Sequence, residues 1–192
     1  MACHEIRTSA GKVDRRPSPT TRLAEPADLA ALYELDRLCF AHRAWSLRAW
    51  WEVVTFPEWT VVVLEIDGAI AAASVLLPAA PVSWLASLAV HPAWRRRGIG
   101  RSLLRDAVER GRAASARWLS LEVDRSHRPA ISLYTQEGFR VLRRFREDGR
   151  WRQEMLRRLG QDRVGRRFAR AWGEEDACGR RRCAPPPAPA LL

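Results

Sequence analysis

The sequence is short of lysine, of disulfide partners and of unbroken apolar runs, and each shortage excludes something. Lys12 is the single lysine beside 32 arginines, so the net charge of +11 over 192 residues is an arginine charge. A composition rich in Arg, Ala, Pro and Trp matches what a GC-rich genome encodes, and the charge total alone therefore argues little for nucleic acid. Its placement argues more. Residues 21–160 carry 22 arginines against 16 carboxylates, a net +6, with one dense knot at residues 95–101. That suits an acidic ligand held at one place better than a groove for a polynucleotide. No DNA-reading helix or RNA-binding aromatic motif stands out. Cys3, Cys39, Cys178 and Cys183 have no framework spacing, which points to a reducing cytoplasm. Cys178 and Cys183 have no second ligand pair beside them; the alternative of a zinc site borrowing Cys3 and His4 is set below the expectation of no metal. The first twenty residues are polar, without the apolar core of a secretory signal. The apolar run 68–90 is cut by Pro78 and Pro81 and diluted by Ser74, Ser83 and Ser87. Two strands around a turn account for it better than a membrane span.

What is present reads as one α/β domain at residues 21–160, between a leader at 1–20 and an Arg/Pro-rich tail at 161–192, both expected to be disordered. Residues 21–24 form a short strand. Pro26 opens a helix with Leu29, Leu32, Tyr33 and Leu38 near helical spacing. Ser46 caps a second helix over 47–55. Strands follow at 60–66, 69–77 and 82–90, the first two joined by an Asp67-Gly68 turn. The helix over 98–114 carries Ile99, Leu103, Ala107 and Val108 as a stripe, and Gly111 weakens its end. The strand over 117–123 alternates, with Leu119, Leu121 and Val123 on one face and Trp118, Ser120 and Glu122 on the other. Pro129 starts a short helix over 130–137, ended by Gly138. Strands at 139–146 and 150–158 close the domain around Asp148-Gly149. The expected order is β-α-α-β-β-β-α-β-α-β-β in a mixed, mostly antiparallel sheet with flanking helices.

The stretch Arg95-Arg96-Arg97-Gly98-Ile99-Gly100-Arg101 sits between a strand and a helix. The first turn of a helix has orphan N–H donors and partial positive charge, Gly98 and Gly100 remove Cβ atoms from the approach, and the arginines fork onto phosphate oxygens. It lacks the spacing of a Walker loop and the third glycine of a dinucleotide fingerprint. Arg95-x-x-Gly98-x-Gly100 after a strand resembles the acetyl-CoA signature of the GNAT superfamily of N-acetyltransferases. Leu88-Ala89-Val90-His91-Pro92 resembles the strand end before it. Leu121-Glu122-Val123, Ala130-Ile131-Ser132-Leu133-Tyr134 and Gly138-Phe139 resemble the second conserved block. Phe40 with Trp45-Ser46 is similar to the amino-terminal block of the ribosomal-protein-alanine (RimI-type) group.

The resemblance implies acetyl-CoA as cosubstrate. The pyrophosphate would lie on the N–H groups and arginines of Arg95, Arg96, Arg97, Gly98, Ile99, Gly100 and Arg101. The pantetheine would pair with the strand at Leu88, Ala89 and Val90, and His127 would help bind the cofactor. Glu122 is implied as the general base and Tyr134 as the donor that protonates the leaving thiolate. The resemblance implies an N-acetyltransferase acting on a protein N-terminal α-amine, such as that of a ribosomal protein. A small amine (a polyamine, amino acid or antibiotic) is the alternative acceptor, and a non-catalytic RNA- or ribosome-binding protein is the third reading. The chain departs from the group after Gly138-Phe139: Arg144-Phe145-Arg146-Glu147 stands where that group carries Arg-Asn-Tyr-Tyr. Glu147 and Asp148 would then meet a cationic substrate or serve as ordinary turn residues.

Overall fold

Two tight turns set the lengths of the hairpins. Asp67 and Gly68 have φ of 53° and 78°, and Asp148 and Gly149 have φ of 48° and 75°. Both central residues at positive φ give the turn whose twist matches paired strands. The computed structural model describes residues 19–160. The tail and all but the end of the leader lie outside these residues, as do Cys3, His4, Cys178 and Cys183.

In chain order the elements are β1 (Thr20–Leu23), α1 (Leu29–Phe40), α2 (Leu47–Thr55), β2 (Thr60–Ile66), β3 (Ala69–Leu77), β4 (Val82–Val90), α3 (Ile99–Ala113), β5 (Trp118–Asp124), α4 (Arg128–Gln136), β6 (Arg140–Glu147) and β7 (Arg150–Arg158). This is the order read from the sequence. β1 begins at Thr20, inside the stretch assigned to the leader. Pro26 opens a 3-10 turn over Pro26–Asp28 rather than α1 itself. Leu38 is 58% exposed, because the buried stripe of α1 runs through Leu32, Leu35 and Asp36 and Leu38 falls off it by the 100° step of the helix. Ser46 does cap α2, its Oγ accepting the Ala49 N–H at 3.1 Å. Gly138, at φ 86°, ends α4 with the Phe139 N–H bonded to the Tyr134 carbonyl and the Gly138 N–H to that of Thr135. Gly111 is buried, and a Cβ there would come within 2.8 Å of Leu159 Cδ1. Close approach to the end of β7, not only a weak helix end, suits glycine there.

The seven strands form one sheet, β1-β2-β3-β4-β5-β7-β6, antiparallel throughout except for β4 and β5. One face packs on α1 and α2 through Leu32, Leu35, Trp50 and Val53 against Val61, Val63, Ala73 and Val75. The other packs on α3 and α4, where Leu104, Ala107, Val108 and Tyr134 meet Leu119, Leu121 and Val123. The alternation read along β5 is the reason its apolar side lies on this second face.

The parallel pair is incomplete, and this positions the site. β4 and β5 are in register only from Val82–Trp118 to Leu85–Leu121. On its other side β4 carries a bulge: Val75 pairs Ser87 while Leu76 pairs Leu85, so Ala86 is the extra residue. A bulge bends its strand and increases the twist. Beyond it, β4 and β5 run on without each other, and a gap opens between them toward their carboxyl ends.

Candidate active site

The gap is lined by backbone groups of known direction. The His91 N–H bonds the Ala71 carbonyl at 2.9 Å, which fixes the alternation along the β3–β4 ladder. Ala89 opposite Ala73 is then a hydrogen-bonded pair, while Leu88 opposite Ser74 and Val90 opposite Ala72 are not. Leu88 and Val90 therefore turn their N–H and C=O groups away from β3 into the gap. The Val90 carbonyl accepts from Arg95 Nε at 2.9 Å and from Cys39 Sγ at 3.4 Å, as that direction requires. The same logic on the β5–β7 ladder, set by Arg125 N–H on the Trp151 carbonyl, turns the backbone of Glu122 and Asp124 toward the gap from the other side.

At one end of the gap stands the N-terminus of α3. The Ser102 N–H makes the first bond to the Gly98 carbonyl at 3.0 Å, so the N–H groups of Ile99, Gly100 and Arg101 lie ahead of the helical ladder. The two glycines serve different ends. Gly98 is the N-cap at φ 82° with open space where a Cβ would be. Gly100 is helical, and a Cβ on it would touch Leu133 Cδ2 and Val90 Cγ2 at 3.6 Å, an ordinary contact. The arginine knot divides among several partners. Arg95 turns inward to Val90 and Cys39. Arg96 takes φ 64°, Arg97 stacks on Trp94 at 4.7 Å, and Arg101 reaches α4, Nη2 to Gln136 Oε1 at 2.5 Å and Nε to Glu137 Oε1 at 3.0 Å. Arg105 also reaches Glu137, and these arginines hold its carboxyl below the ordinary value.

At the other end stand Glu122 and Tyr134. Burial pushes the Glu122 carboxyl up from its ordinary value, with the Arg152 cation pulling the other way. Tyr134 is buried against Phe139 at a ring separation of 5.9 Å, and desolvation alone pushes its hydroxyl up to about 12. His127 is the N-cap of α4, its carbonyl accepting from Ile131 and its N–H bonded to Asp124. A single cavity of about 770 Å³ joins both ends, and it is lined by every residue the sequence reading assigned to the site except Arg97. Ala89 lines it while its backbone serves β3.

The cavity also brings in residues the sequence reading passed over: Asp36, Cys39, Arg43 and Arg152. Asp36 accepts the Trp45 N–H at 2.5 Å and is raised by burial. Arg43 lies 3.6 Å from Asp124 and 3.8 Å from Glu147. Arg152 Nη1 touches both Glu122 and Glu147. Arg43 with Asp124 and Glu147, and Arg152 with Glu122, join segments far apart in sequence and leave no local signal. The closeness of Phe40 and Trp45 to the cavity was readable only through the resembling block.

A long arm with amide groups fits a gap edged by strand backbone turned away from its β3 partner, and a pyrophosphate fits the N–H groups ahead of the α3 ladder. Comparison with known proteins gives the family and the fold. The chain matches the acetyltransferase (GNAT) family over residues 29–139. It is 30% identical over 112 residues, 58% of this chain and 74% of the other, to a Bacillus subtilis (strain 168) protein provisionally named a ribosomal-protein-bS18-alanine N-acetyltransferase. The Escherichia coli ribosomal-protein-S18-alanine N-acetyltransferase superposes with a TM-score of 0.69 at 25% identity, over 77% of this chain and 98% of that one. Arabidopsis thaliana NAA60, solved in complex with acetyl-CoA, shares the fold with a TM-score of 0.66 at 19% identity, over 74% and 99% of the two chains.

Proposed function

Since this chain belongs to the acetyltransferase (GNAT) family and is an N-acetyltransferase, we propose that it transfers acetyl from acetyl-CoA to the α-amine at a protein N-terminus, such as that of a ribosomal protein. The observation that carries the reading is the gap between β4 and β5, which runs from the α3 N-terminus past the backbone that Leu88 and Val90 turn away from β3 to Glu122 and Tyr134. The names of the two ribosomal-protein-alanine acetyltransferases support the choice of acceptor. We assign the protein to a reducing cytoplasm on the spacing of its four cysteines.

In this reading the N–H groups ahead of α3 hold the pyrophosphate, and Arg96 and Arg101 add charge beside it. Leu88 and Val90 hold the pantetheine amides as an added strand would be held. His127 borders the same arm. The acceptor enters beside Phe40, Arg43 and Trp45. Its nitrogen bonds to the acetyl carbon as the carbon–sulfur bond breaks. Glu122 accepts the proton the nitrogen sheds, directly or through a water, and Tyr134 gives one to the departing sulfur. A carboxyl raised by burial is suited to accept a proton near neutrality, and a phenol raised to about 12 arrives protonated.

A small-amine acceptor is the second reading, and one observation favours it: the β6 run Arg144-Phe145-Arg146-Glu147 lacks the paired tyrosines of the ribosomal-protein group. A panel of peptides with different N-terminal residues, run beside polyamines and amino acids and read by release of free thiol, separates the two. Turnover of alanine-terminated peptides above all small amines supports the first reading, and the reverse order replaces it.

A further inference from the structure

Glu122 is held from a strand that the motif reading did not reach. In the β5–β7 register Glu122 lies opposite Glu154, and Asp124 opposite Arg152. Carboxylates facing each other across a ladder repel. Glu154 is already satisfied: Ser120 Oγ donates to its Oε1 at 2.9 Å and Arg143 Nε to its Oε2 at 2.6 Å. The cation left for Glu122 is Arg152, diagonally placed on the same face, with Nη1 3.3 Å from Glu122 Oε2. That same Nη1 contacts Glu147 at the end of β6. The Arg152 Nε is buried and makes no hydrogen bond among the described residues, so one nitrogen serves both carboxylates. Arg43, after α1, holds Glu147 and Asp124 from outside.

We propose that Arg152 is a positioning residue for this site: it keeps the Glu122 carboxylate charged and turned into the gap, and Glu147 governs how much of that cation Glu122 receives. The inference rests, for its catalytic meaning, on Glu122 being the proton acceptor. The charges around Glu122 act in definite directions. Burial raises its pKa, Arg152 and Arg143 lower it, and Glu147 and Glu154 raise it. From α1, Asp36 reaches the same cavity with its carboxylate taken by the Trp45 N–H. The residues of β4 that line it are uncharged. Removing Arg152 therefore lifts the midpoint at which Glu122 takes up a proton. Neutralising Glu147 lowers it, because one repelling charge goes and Arg152 turns wholly to Glu122. General loss of folding does not move one group in opposite directions.

The test is carbon-detected NMR titration of the full-length chain labelled at glutamate carboxyl carbons, the Glu122 signal being the one lost in Glu122→Gln. Arg152→Met is expected to raise the midpoint by about one pH unit, the low end for loss of an adjacent opposite charge. Arg152→Lys restores part of the shift, and Glu147→Gln moves the midpoint down. With an alanine-terminated peptide as probe, the acidic limb of kcat/KM moves in the same order. Midpoints that stay in place, or that move the same way in Arg152→Met and Glu147→Gln, overturn the proposal. If Arg152→Met does not fold, Glu147→Gln on the exposed hairpin decides alone. The titration needs no acceptor: midpoints that move as expected while Glu122→Gln keeps full turnover leave the Arg152 assignment standing and remove the proton-acceptor role.

Discussion

Glu122 and Tyr134 are both raised by burial, with opposite consequences for what each can do. A carboxyl must be ionised to accept a proton, so turnover is expected to fall as pH drops through the raised pKa of Glu122, above the ordinary carboxylate range. Glu122→Gln is expected to lower turnover on the order of a hundredfold and to erase that acidic limb, with acetyl-CoA affinity little changed. A pH–rate profile beside calorimetry checks both. Stability runs the other way. The folded-state pKa lies above the unfolded one, so this group's favourable contribution is lost as pH rises through the folded value. Glu122→Gln is therefore expected to melt no lower than wild type at neutral pH, and a lower melting temperature would count against burial as the dominant influence. Tyr134→Phe keeps the ring against Phe139 and is expected to slow the chemical step, seen in single-turnover thiol release, while melting hardly moves. The period-two pattern of β5 made the face of Glu122 legible in the sequence. Its control by Arg152 was not, because a contact thirty positions away depends on the β5–β7 register and on which neighbours Ser120 and Arg143 already occupy.

Strands and turns were legible wherever local chemistry decides them. Asp-Gly at positions 67–68 and 148–149 demands positive φ, and Ser46 and Gly138 cap helices by their own atoms. The split between β4 and β5 was not legible: Ala86 becomes a bulge only through the β3 register. At the start of α3 the two glycines are expected to separate by substitution. Gly98→Ala forces a Cβ into the left-handed region, costing about 1–2 kcal/mol, readable by denaturant melting. Gly100→Ala fits at 3.6 Å from Leu133 and Val90 and is expected to fold normally. Gly100→Val adds methyl groups to a Cβ already in contact with Leu133 and Val90, which crowds the first turn of α3, and is expected to weaken acetyl-CoA by about tenfold or more, about 1.4 kcal/mol. Calorimetry on the folded variants decides it, and undiminished affinity in Gly100→Val would detach the cofactor from this helix end.

At the scale of the whole molecule, the described residues 19–160 carry both faces of the sheet core, the gap and the cavity. These residues also carry 22 arginines against 16 carboxylates, so removing both ends leaves a net +6 around the site. Two consequences are expected of a chain cut to 19–160. It keeps the acetyl-CoA affinity of the full chain. Its affinity also falls with added salt as steeply as that of the full chain, since exposed arginines near α3 act within a Debye length of about 8–10 Å. The cut separates the remaining readings as well. If retention on RNA is a real activity of the arginine-rich ends, it disappears with them while the thermal shift on acetyl-CoA persists, and the two functions occupy different parts of the chain. A cut chain that melts early or no longer shifts with acetyl-CoA would instead show that the ends support the domain, and the boundaries at 21 and 160 would have to be redrawn.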